Sequence, residues 1–358
     1  MAIMATLEDQ DIDVILKQYN LKSNHVETIG KVKKVSTSKG TYALKAIPEN
    51  SDLKFVNTIE SLYRKGYTSF VPIYKTVTGK YFVQNKHHFH YLMPWIAGDQ
   101  DRQRDDRHEQ LFSELARLQM ATVNDHNIDD KELEQHYKEL KSRWDERRKN
   151  LEAYIDNCER QIYMSPFELQ FATYYHETMQ ACHFARSRLD EWYELVKEKK
   201  KFRAALTLGK VSTTHFLYDQ KDKSYFSSYE RAKMGPPFND LVGFYYKSLR
   251  SYPVTSDESY QWFTTYTNRF PLEDEEIQLF LSYLAYPEPI YRCVENYVKN
   301  RKGKSEFTHV KQLQRAYWLN KNIEFLASRI HREEQLKKEQ QQMEQLEKEF
   351  EENNNESS

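Results

Sequence analysis

The pattern of hydrophobic and polar residues changes from strand-like to helix-like near residue 100. Before that point, short apolar runs are separated by polar turns. Leu53–Lys65 is the exception, because its apolar residues recur at helical spacing and it ends at Gly66. A turn is predicted at Gln84–His87. Three segments are predicted as strands: Thr41–Ile47, Lys80–Val83 and His90–Met93. Strands, one helix and further strands predict a small mixed lobe.

Helical periodicity dominates from Arg107 onward. Leu111, Leu115 and Leu118 recur at three- and four-residue spacing, which is typical of a helix with one buried face. Residues 130–205 predict two or three long amphipathic helices, and a short β-like segment follows at residues 206–226. More helices are predicted over residues 240–329. We therefore predict an α+β protein with a small β-rich lobe at residues 1–97 and a helical lobe at residues 98–330.

Residues 331–358 have a different composition, rich in Glu, Gln, Lys and Asn. Leu336, Met343, Leu346 and Phe350 follow one another at steps of seven, three and four residues. This stripe is shorter than the three or four heptads that a coiled coil requires. Two interpretations of the tail stay open: a frayed helix or disordered segment, or a helix that pairs with a partner.

Composition excludes some classes of function. The net charge is −1, with 53 basic and 54 acidic residues, so the overall charge gives no reason to expect nucleic acid or an anionic membrane as a partner. There is no uninterrupted apolar run of about 18 residues, and the acidic first residues do not predict a signal peptide, so we expect no membrane insertion. Three widely spaced cysteines fit a reduced compartment. The 26 tyrosines either fill half-buried positions or form a contact-rich surface, and composition leaves both open.

Histidines 87, 88 and 90 suggest a metal site at first sight. On a strand, His88 and His90 share one face. However, no carboxylate or thiol follows nearby in the sequence, and zinc requires three or four ligands. We therefore interpret them as an exposed strand face and predict no metal site.

The first part of the chain has the element order of a kinase small lobe. A strand ending in Ala43-Leu44-Lys45 is followed by a helix, two strands and the apolar segment Leu92–Trp95. Lys45 then has the position of the strand lysine that contacts nucleotide phosphates. Ala-x-Lys on a strand is common, so this pattern alone is weak evidence for a kinase small lobe. Glu60 on the helix is an available carboxylate partner, although the expected register lies nearer Phe55 or Asn57.

Residues 208–241 resemble the catalytic region of aminoglycoside phosphotransferases and choline kinases. Those enzymes have the loop H-G-D-x-x-x-x-N, then I-D-F, and an Asp-Leu pair that opens a helix twelve residues after the second aspartate. This chain has Leu208-Gly209-Lys210, His215 at the asparagine position, and Asp240-Leu241 at the helix start. Counting back twelve residues from Asp240 gives Ser228.

The resemblance implies that no catalytic residue is intact. Lys210 has the place of the catalytic aspartate, and His215 and Ser228 have the places of the metal-binding asparagine and aspartate. Loss of a general base alone costs about 10² to 10⁴ in rate, and lost metal ligands remove further charge stabilisation. Fixed cations could still hold an anion, and ATP binding without Mg²⁺ stays open. The candidate cleft for it consists of Lys45, Met93, Trp95, Lys210 and Arg231.

More narrowly, the chain resembles the CotS-like spore coat family, a branch of that superfamily. Phe70–Ile73, Tyr91–Gly98 and Phe112–Gln119 carry the resemblance, which extends over roughly residues 20–325. It implies a two-lobed protein-kinase-like fold of the aminoglycoside phosphotransferase type and a spore coat-associated pseudokinase without a cofactor. Such a protein is expected in the mother-cell cytoplasm and then in the coat, in contact with other coat proteins. The alternatives are a small-molecule kinase with atypical metal ligation and a nucleotide-binding scaffold without chemistry.

Overall fold

The structure is a computed structural model that describes residues 9–97, 104–250, 257–301 and 303–356. It divides into two compact units. Unit 1 comprises Met1–Arg107 and Lys210–Lys233, and unit 2 comprises His108–Gly209 and Met234–Ser358. The segment that carries the catalytic-loop resemblance beyond Gly209 therefore packs with the N-terminal part of the chain. The lobe boundaries proposed at residues 97 and 330 stay predictions.

Helices and strands are numbered in chain order. The helices are α1 Asp9–Lys17, α2 Phe55–Arg64, α3 Arg104–Met120, α4 Asp130–Glu159, α5 Pro166–Lys199, α6 Asn239–Ser248, α7 Glu258–Thr267, α8 Asp274–Ala285, α9 Glu288–Asn300 and α10 Glu306–Glu356. The strands are β1 Ser23–Ile29, β2 Val32–Thr37, β3 Gly40–Pro48, β4 Val83–Asn85, β5 His88–Pro94, β6 Asn124–Asn127, β7 Lys201–Thr207, β8 Phe216–Tyr218, β9 Ser224–Phe226 and β10 Lys233–Gly235.

Unit 1 is built on a five-stranded sheet in the order β1-β2-β3-β5-β4, with every pair antiparallel. Strand β3 contains the predicted Thr41–Ile47. The predicted strand His90–Met93 lies within β5, whereas the strand predicted at Lys80–Val83 overlaps β4 only at Val83, because the chain stays extended to Asn85 and turns at Lys86, whose φ is 53°. Residues 80–82 are therefore outside β4.

Helices α1 and α2 bury one face each in unit 1. Ile12, Ile15 and Leu16 of α1 pack with Leu44 and Leu92 of the sheet. Helix α2 buries its apolar face and ends before Gly66 as predicted; the left-handed φ of 85° there is accessible to glycine at little cost. The buried residues of α2 are Phe55, Val56, Ile59 and Leu62.

The β8–β9 hairpin is fixed to the rest of unit 1 through Phe226. Phe226 forms an isolated parallel bridge with Phe70. Its backbone N–H donates to Ser69 at 2.8 Å, and its carbonyl accepts from the Val71 N–H at 3.0 Å. These bonds determine where the chain continues after β9, and the next four residues form the candidate site.

Unit 2 is organised around α4 and α5, two helices of 30 and 34 residues where two or three were predicted. Ser165 and Glu168 form a capping box at the start of α5, and Pro166 occupies the first turn. The two helices share a core with α9 and α10, which includes Leu151, Phe171, Ile290 and Leu313. A three-stranded sheet, β10-β7-β6, completes the unit.

Helix α10 is 51 residues long and changes character along its length. Leu319, Ile323 and Leu326 are buried in its first half, whereas Met343 and Leu346 are each 61% exposed. The tail thus continues as a helix to Glu356, and its pairing with a partner stays a prediction. Within the described residues, each helix is either too short or too polar to span a bilayer.

Candidate functional site

Lys45 is held by two groups from the segment that follows β9. It lies on β3, opposite Tyr91 of β5. Its Nζ donates to the carbonyl of Ser227 at 2.9 Å and forms an ion pair with Glu230. The side chains of Lys45 and Glu230 are only 15% and 17% exposed. The ammonium group that the resemblance assigns to nucleotide phosphates is therefore satisfied by protein groups.

Glu230 is the centre of a buried hydrogen-bond network. The Tyr91 hydroxyl donates to Oε1, and the Ser228 hydroxyl donates to Oε2 at 3.3 Å. Burial alone would raise the pKa of Glu230, but the Lys45 charge and the hydrogen bonds from Lys45 and Tyr91 outweigh it and hold that pKa below its usual value. Burial, followed by the Glu230 charge, raises the pKa of Tyr91 well above its ordinary value. The network therefore contains an ionised carboxylate, an ammonium group and a neutral phenol.

The carboxylate partner of Lys45 differs from the one that the sequence made available. Glu60 contacts Arg64 at 3.3 Å and Lys75 at 3.6 Å instead. Sequence reasoning missed Glu230, although it lies two residues after Ser228, which the motif alignment had placed. The motif assigned a metal-binding position to Ser228, but it assigned no function to Glu230, so the sequence contained no signal for this residue.

The structure brings three of the motif positions together around Ser227. The carbonyl of His215 accepts from the Ser227 N–H at 2.9 Å and from the Ser227 hydroxyl at 3.0 Å. Ser228, the next residue, is 6% exposed, and Lys45 bonds to the Ser227 carbonyl. Ser227 thus contacts both the side chain of Lys45 and the backbone of His215, and Ser228 is its neighbour in the chain.

The predicted cleft residues other than Lys45 all belong to unit 1, but they differ in exposure and in the groups that they contact. Lys210 and Arg231 are exposed. Met93 is buried, and its sulfur accepts from the Tyr229 hydroxyl at 3.8 Å. Trp95 is half-buried, and its ring centroid lies 5.3 Å from the Lys34 ammonium nitrogen. Their contact with a nucleotide stays a prediction.

Tyr229 anchors the segment that carries Ser228 and Glu230. Its side chain is completely buried, and its hydroxyl donates to the carbonyl of Val71. The ring lies 5.3 Å from Phe70 and 6.0 Å from Phe55, centroid to centroid. Tyr229 lies between Ser228 and Glu230 in the chain, and the side chains of these two residues are hydrogen-bonded to each other. The burial of Tyr229 therefore restricts where the Glu230 carboxylate can lie.

Of the three histidines that we predicted as an exposed strand face, His87 is exposed, His88 is half-buried and His90 is buried. His90 is 1% exposed, and burial, followed by the proximity of His88, lowers its pKa. The two rings lie 6.3 Å apart. Among the residues described by the structure, no group of three or more His, Cys, Asp or Glu side chains is arranged to hold a metal ion.

Asp240 holds the backbone of the loop within unit 2. It is 3% exposed; Oδ2 accepts from the Leu208 N–H at 2.7 Å, and Oδ1 accepts from the Gly209 N–H at 2.8 Å. Burial raises the pKa of Asp240 to about 6, against the opposing effect of the two backbone hydrogen bonds. The aspartate that opens α6 therefore fixes the two residues directly before Lys210.

Solved structures share this fold. An aminoglycoside phosphotransferase from Alicyclobacillus acidocaldarius aligns with a TM-score of 0.73 and 15% identity, over 92% of this chain and 97% of that one. The AMP-bound complex of the spectinomycin phosphotransferase APH(9)-Ia aligns with a TM-score of 0.55 and 14% identity, over 88% and 97%. Its complex with ADP and spectinomycin gives 0.56 and 12%, over 90% and 100%.

At these identities the likeness establishes the fold alone, and the predicted α+β kinase-like fold of the aminoglycoside phosphotransferase type is confirmed. No protein-family model and no curated protein sequence matches the chain. The narrower resemblance to the CotS-like spore coat family stays a prediction.

Proposed function

We propose that this chain is a kinase-fold protein that no longer transfers phosphoryl groups and acts as a binding component of the spore coat. The observation that carries the first part is the ion pair between Lys45 and Glu230, which is largely buried and has additional hydrogen bonds. In an active kinase, the equivalent lysine pairs with a glutamate of the small-lobe helix and still contacts the nucleotide. Here its partner Glu230 comes instead from the segment directly after Ser228, where the resemblance places a metal-binding residue.

The electrostatic cost of adding a nucleotide follows from Glu230. A phosphate that approaches Lys45 brings negative charge close to the Glu230 carboxylate. Two like charges about 5 Å apart, at an effective dielectric constant of about 20, repel by about 3 kcal/mol. That energy corresponds to roughly a hundredfold loss of affinity. We therefore expect a nucleotide at Lys45 to bind more tightly when Glu230 is neutral or displaced from Lys45.

The motif positions support the same proposal. Phosphoryl transfer depends on a positioned base and on Mg²⁺ held between the protein and the phosphates. At the positions that the resemblance assigns to these roles, the chain has Lys210, His215 and Ser228. Lys210 would repel a divalent cation, and the Ser228 hydroxyl already donates to Glu230.

A thermal-shift titration with ATP, with and without Mg²⁺, tests the loss of catalysis, together with an assay of phosphate release. We expect no shift that requires Mg²⁺ and no release above background. Glu230→Gln is the internal comparison, because it leaves Lys45 with a neutral partner; we expect it to bind ATP about tenfold or more tightly than the wild type. A Mg²⁺-dependent shift with turnover would establish an enzyme instead.

A metal-independent shift in the wild type would favour the second candidate, a nucleotide-binding scaffold. The exposed cations Lys210 and Arg231 are the observation in its favour. Lys210→Ala with Arg231→Ala should then abolish the shift.

The spore coat assignment rests on the sequence resemblance and is tested in cells. A fluorescent fusion expressed in a sporulating host should appear first throughout the mother cell and later as a shell around the developing spore. The same fluorescent protein alone is the control and should stay diffuse. A fusion that stays diffuse through coat formation would contradict the assignment.

A further inference from the structure

One end of unit 2 exposes large apolar side chains. Ile162 and Tyr163, in the turn between α4 and α5, are each 89% exposed. Phe307, in the first turn of α10, is 74% exposed, and Val298, near the end of α9, is 61% exposed. Isolated apolar residues are common on surfaces, whereas a group of them marks an interaction site.

Direct contacts show that these three chain segments meet. The Ser165 hydroxyl, two residues after Tyr163, lies 2.8 Å from the Tyr297 hydroxyl. The Phe167 N–H donates to Glu306 Oε1 at 3.0 Å. Because Tyr297 precedes Val298 and Glu306 precedes Phe307, the exposed residues lie on chain segments that meet at this end of the unit.

This surface is also basic. Arg160, Lys304 and Lys311 are exposed there, and the Lys311 ammonium lies 5.9 Å from the ring of Phe307. Among the nearby carboxylates, Glu159 is exposed, whereas Glu306 accepts hydrogen bonds from within the unit. We call the surface formed by Ile162, Tyr163, Val298 and Phe307 with these three cations the basic end.

The last part of α10 has the complementary character. Residues 339–356, the acidic tail, contain seven glutamates and one lysine. Met343 and Leu346 of this segment are each 61% exposed. An acidic helix with an apolar stripe matches a basic surface with exposed apolar side chains in both charge and hydrophobicity.

The two surfaces of one molecule cannot meet. Phe307 of the basic end and the whole acidic tail lie on α10, which is continuous over 51 residues and therefore about 75 Å long. At about 1.5 Å per residue, roughly 50 Å of rigid helix separate Phe307 from the start of the acidic tail. Docking within one molecule would require the helix to break, so the acidic tail can reach only the basic end of another molecule.

We propose that the acidic tail of one molecule docks on the basic end of a second copy. The contact joins two different surfaces, so a pair of molecules joined by it keeps one free tail and one free basic end. Such a heterologous contact continues into a chain of molecules or closes into a ring. It is independent of ATP, so its failure and the failure of the proposed loss of catalysis are distinguishable.

Sedimentation velocity over a range of concentrations tests the proposal. The wild type should grow beyond dimers with concentration, and high salt should weaken the association because it screens the exposed charges. An end variant, Ile162→Ser with Tyr163→Ser, and a tail variant, Met343→Ser with Leu346→Ser, should each weaken self-association about tenfold or more. All four positions are exposed, so we expect the fold to be retained, with an unchanged circular dichroism spectrum.

Mixing the two variants distinguishes this contact from other modes of association. The end variant keeps an intact tail, and the tail variant keeps an intact basic end, so the mixture should form a one-to-one dimer that does not grow. Val77→Ser, at a position that is 68% exposed in unit 1, is the matched control and should associate like the wild type. A monomeric wild type, an end variant that associates normally, or a mixture without the dimer would overturn the proposal.

Discussion

Replacing Lys45 by methionine should lower the free energy of unfolding by about 3 kcal/mol at neutral pH, because it leaves the Glu230 carboxylate buried without its counter-charge. Methionine keeps most of the volume of the lysine side chain. The decrease in the free energy of unfolding therefore measures the removal of the positive charge and of the hydrogen bond to Ser227. Chemical denaturation followed by circular dichroism measures the change.

The pH dependence of this loss has a definite sign. The folded pKa of Glu230 is below its usual value, so the ion pair contributes stability above the unfolded pKa. That contribution is lost as the pH falls through the folded pKa. The difference between the wild type and Lys45→Met should therefore be largest at neutral pH and shrink in acid.

A second substitution shows whether the loss comes from the charge on Glu230. The double variant Lys45→Met with Glu230→Gln removes both charges, and we expect it to recover most of the lost stability. Lys34→Met is the matched control on the neighbouring strand, since Lys34 pairs with Glu27 at 3.5 Å with both side chains partly exposed. It should cost less than about 1 kcal/mol. Equal losses for the two lysines would refute the role assigned to Lys45.

The stability of the protein should fall by about 2 kcal/mol as the pH rises from about 4 to about 6, through Asp240 alone. The folded pKa of this carboxyl is raised to about 6, so the folded state holds the proton more tightly than the unfolded state does. The contribution is complete below the unfolded pKa and is lost as the pH approaches the folded pKa. The desolvated carboxylate of Asp240 is the physical cause.

Denaturation measured across this pH range, in the wild type and in Asp240→Asn, isolates the effect. The variant has no carboxyl at this position, so its profile should lack this decline, and the difference between the two profiles should follow a single titration. Asp219→Asn is the control: burial raises the pKa of Asp219, but backbone hydrogen bonds from Lys223 and Lys221 outweigh it and lower that pKa. It should leave the decline in place. Parallel profiles for the wild type and Asp240→Asn would show that Asp240 titrates normally.

The fold follows largely from local patterns. The spacing of Leu111, Leu115 and Leu118 predicted a helix, and α3 contains it. Leu53–Lys65 was predicted as a helix that ends at Gly66, and α2 lies within that range. These predictions succeed because backbone hydrogen bonding and the burial of one face depend on neighbouring residues. The strand predicted at Lys80–Val83 was misplaced, because the turn begins only at Lys86, a lysine with a left-handed φ that gives no sequence signal for where β4 ends.

Sequence alone also determined that Lys210, His215 and Ser228 have the positions that the resemblance assigns to the catalytic aspartate and the metal-binding residues. A motif consists of residue order and spacing, and both are read directly from the sequence. Only the tertiary structure decided which carboxylate neutralises Lys45. Glu60 is close in sequence, and Glu230 is far along the chain, but Phe226 and the buried Tyr229 bring the second one to the ammonium group. The same holds for Ile162 and Phe307, whose shared surface depends on how α4, α5, α9 and α10 pack. Ion-pair partners and exposed surfaces depend on which residues are close together in the folded chain. The number of residues between two positions does not determine the distance between them in space.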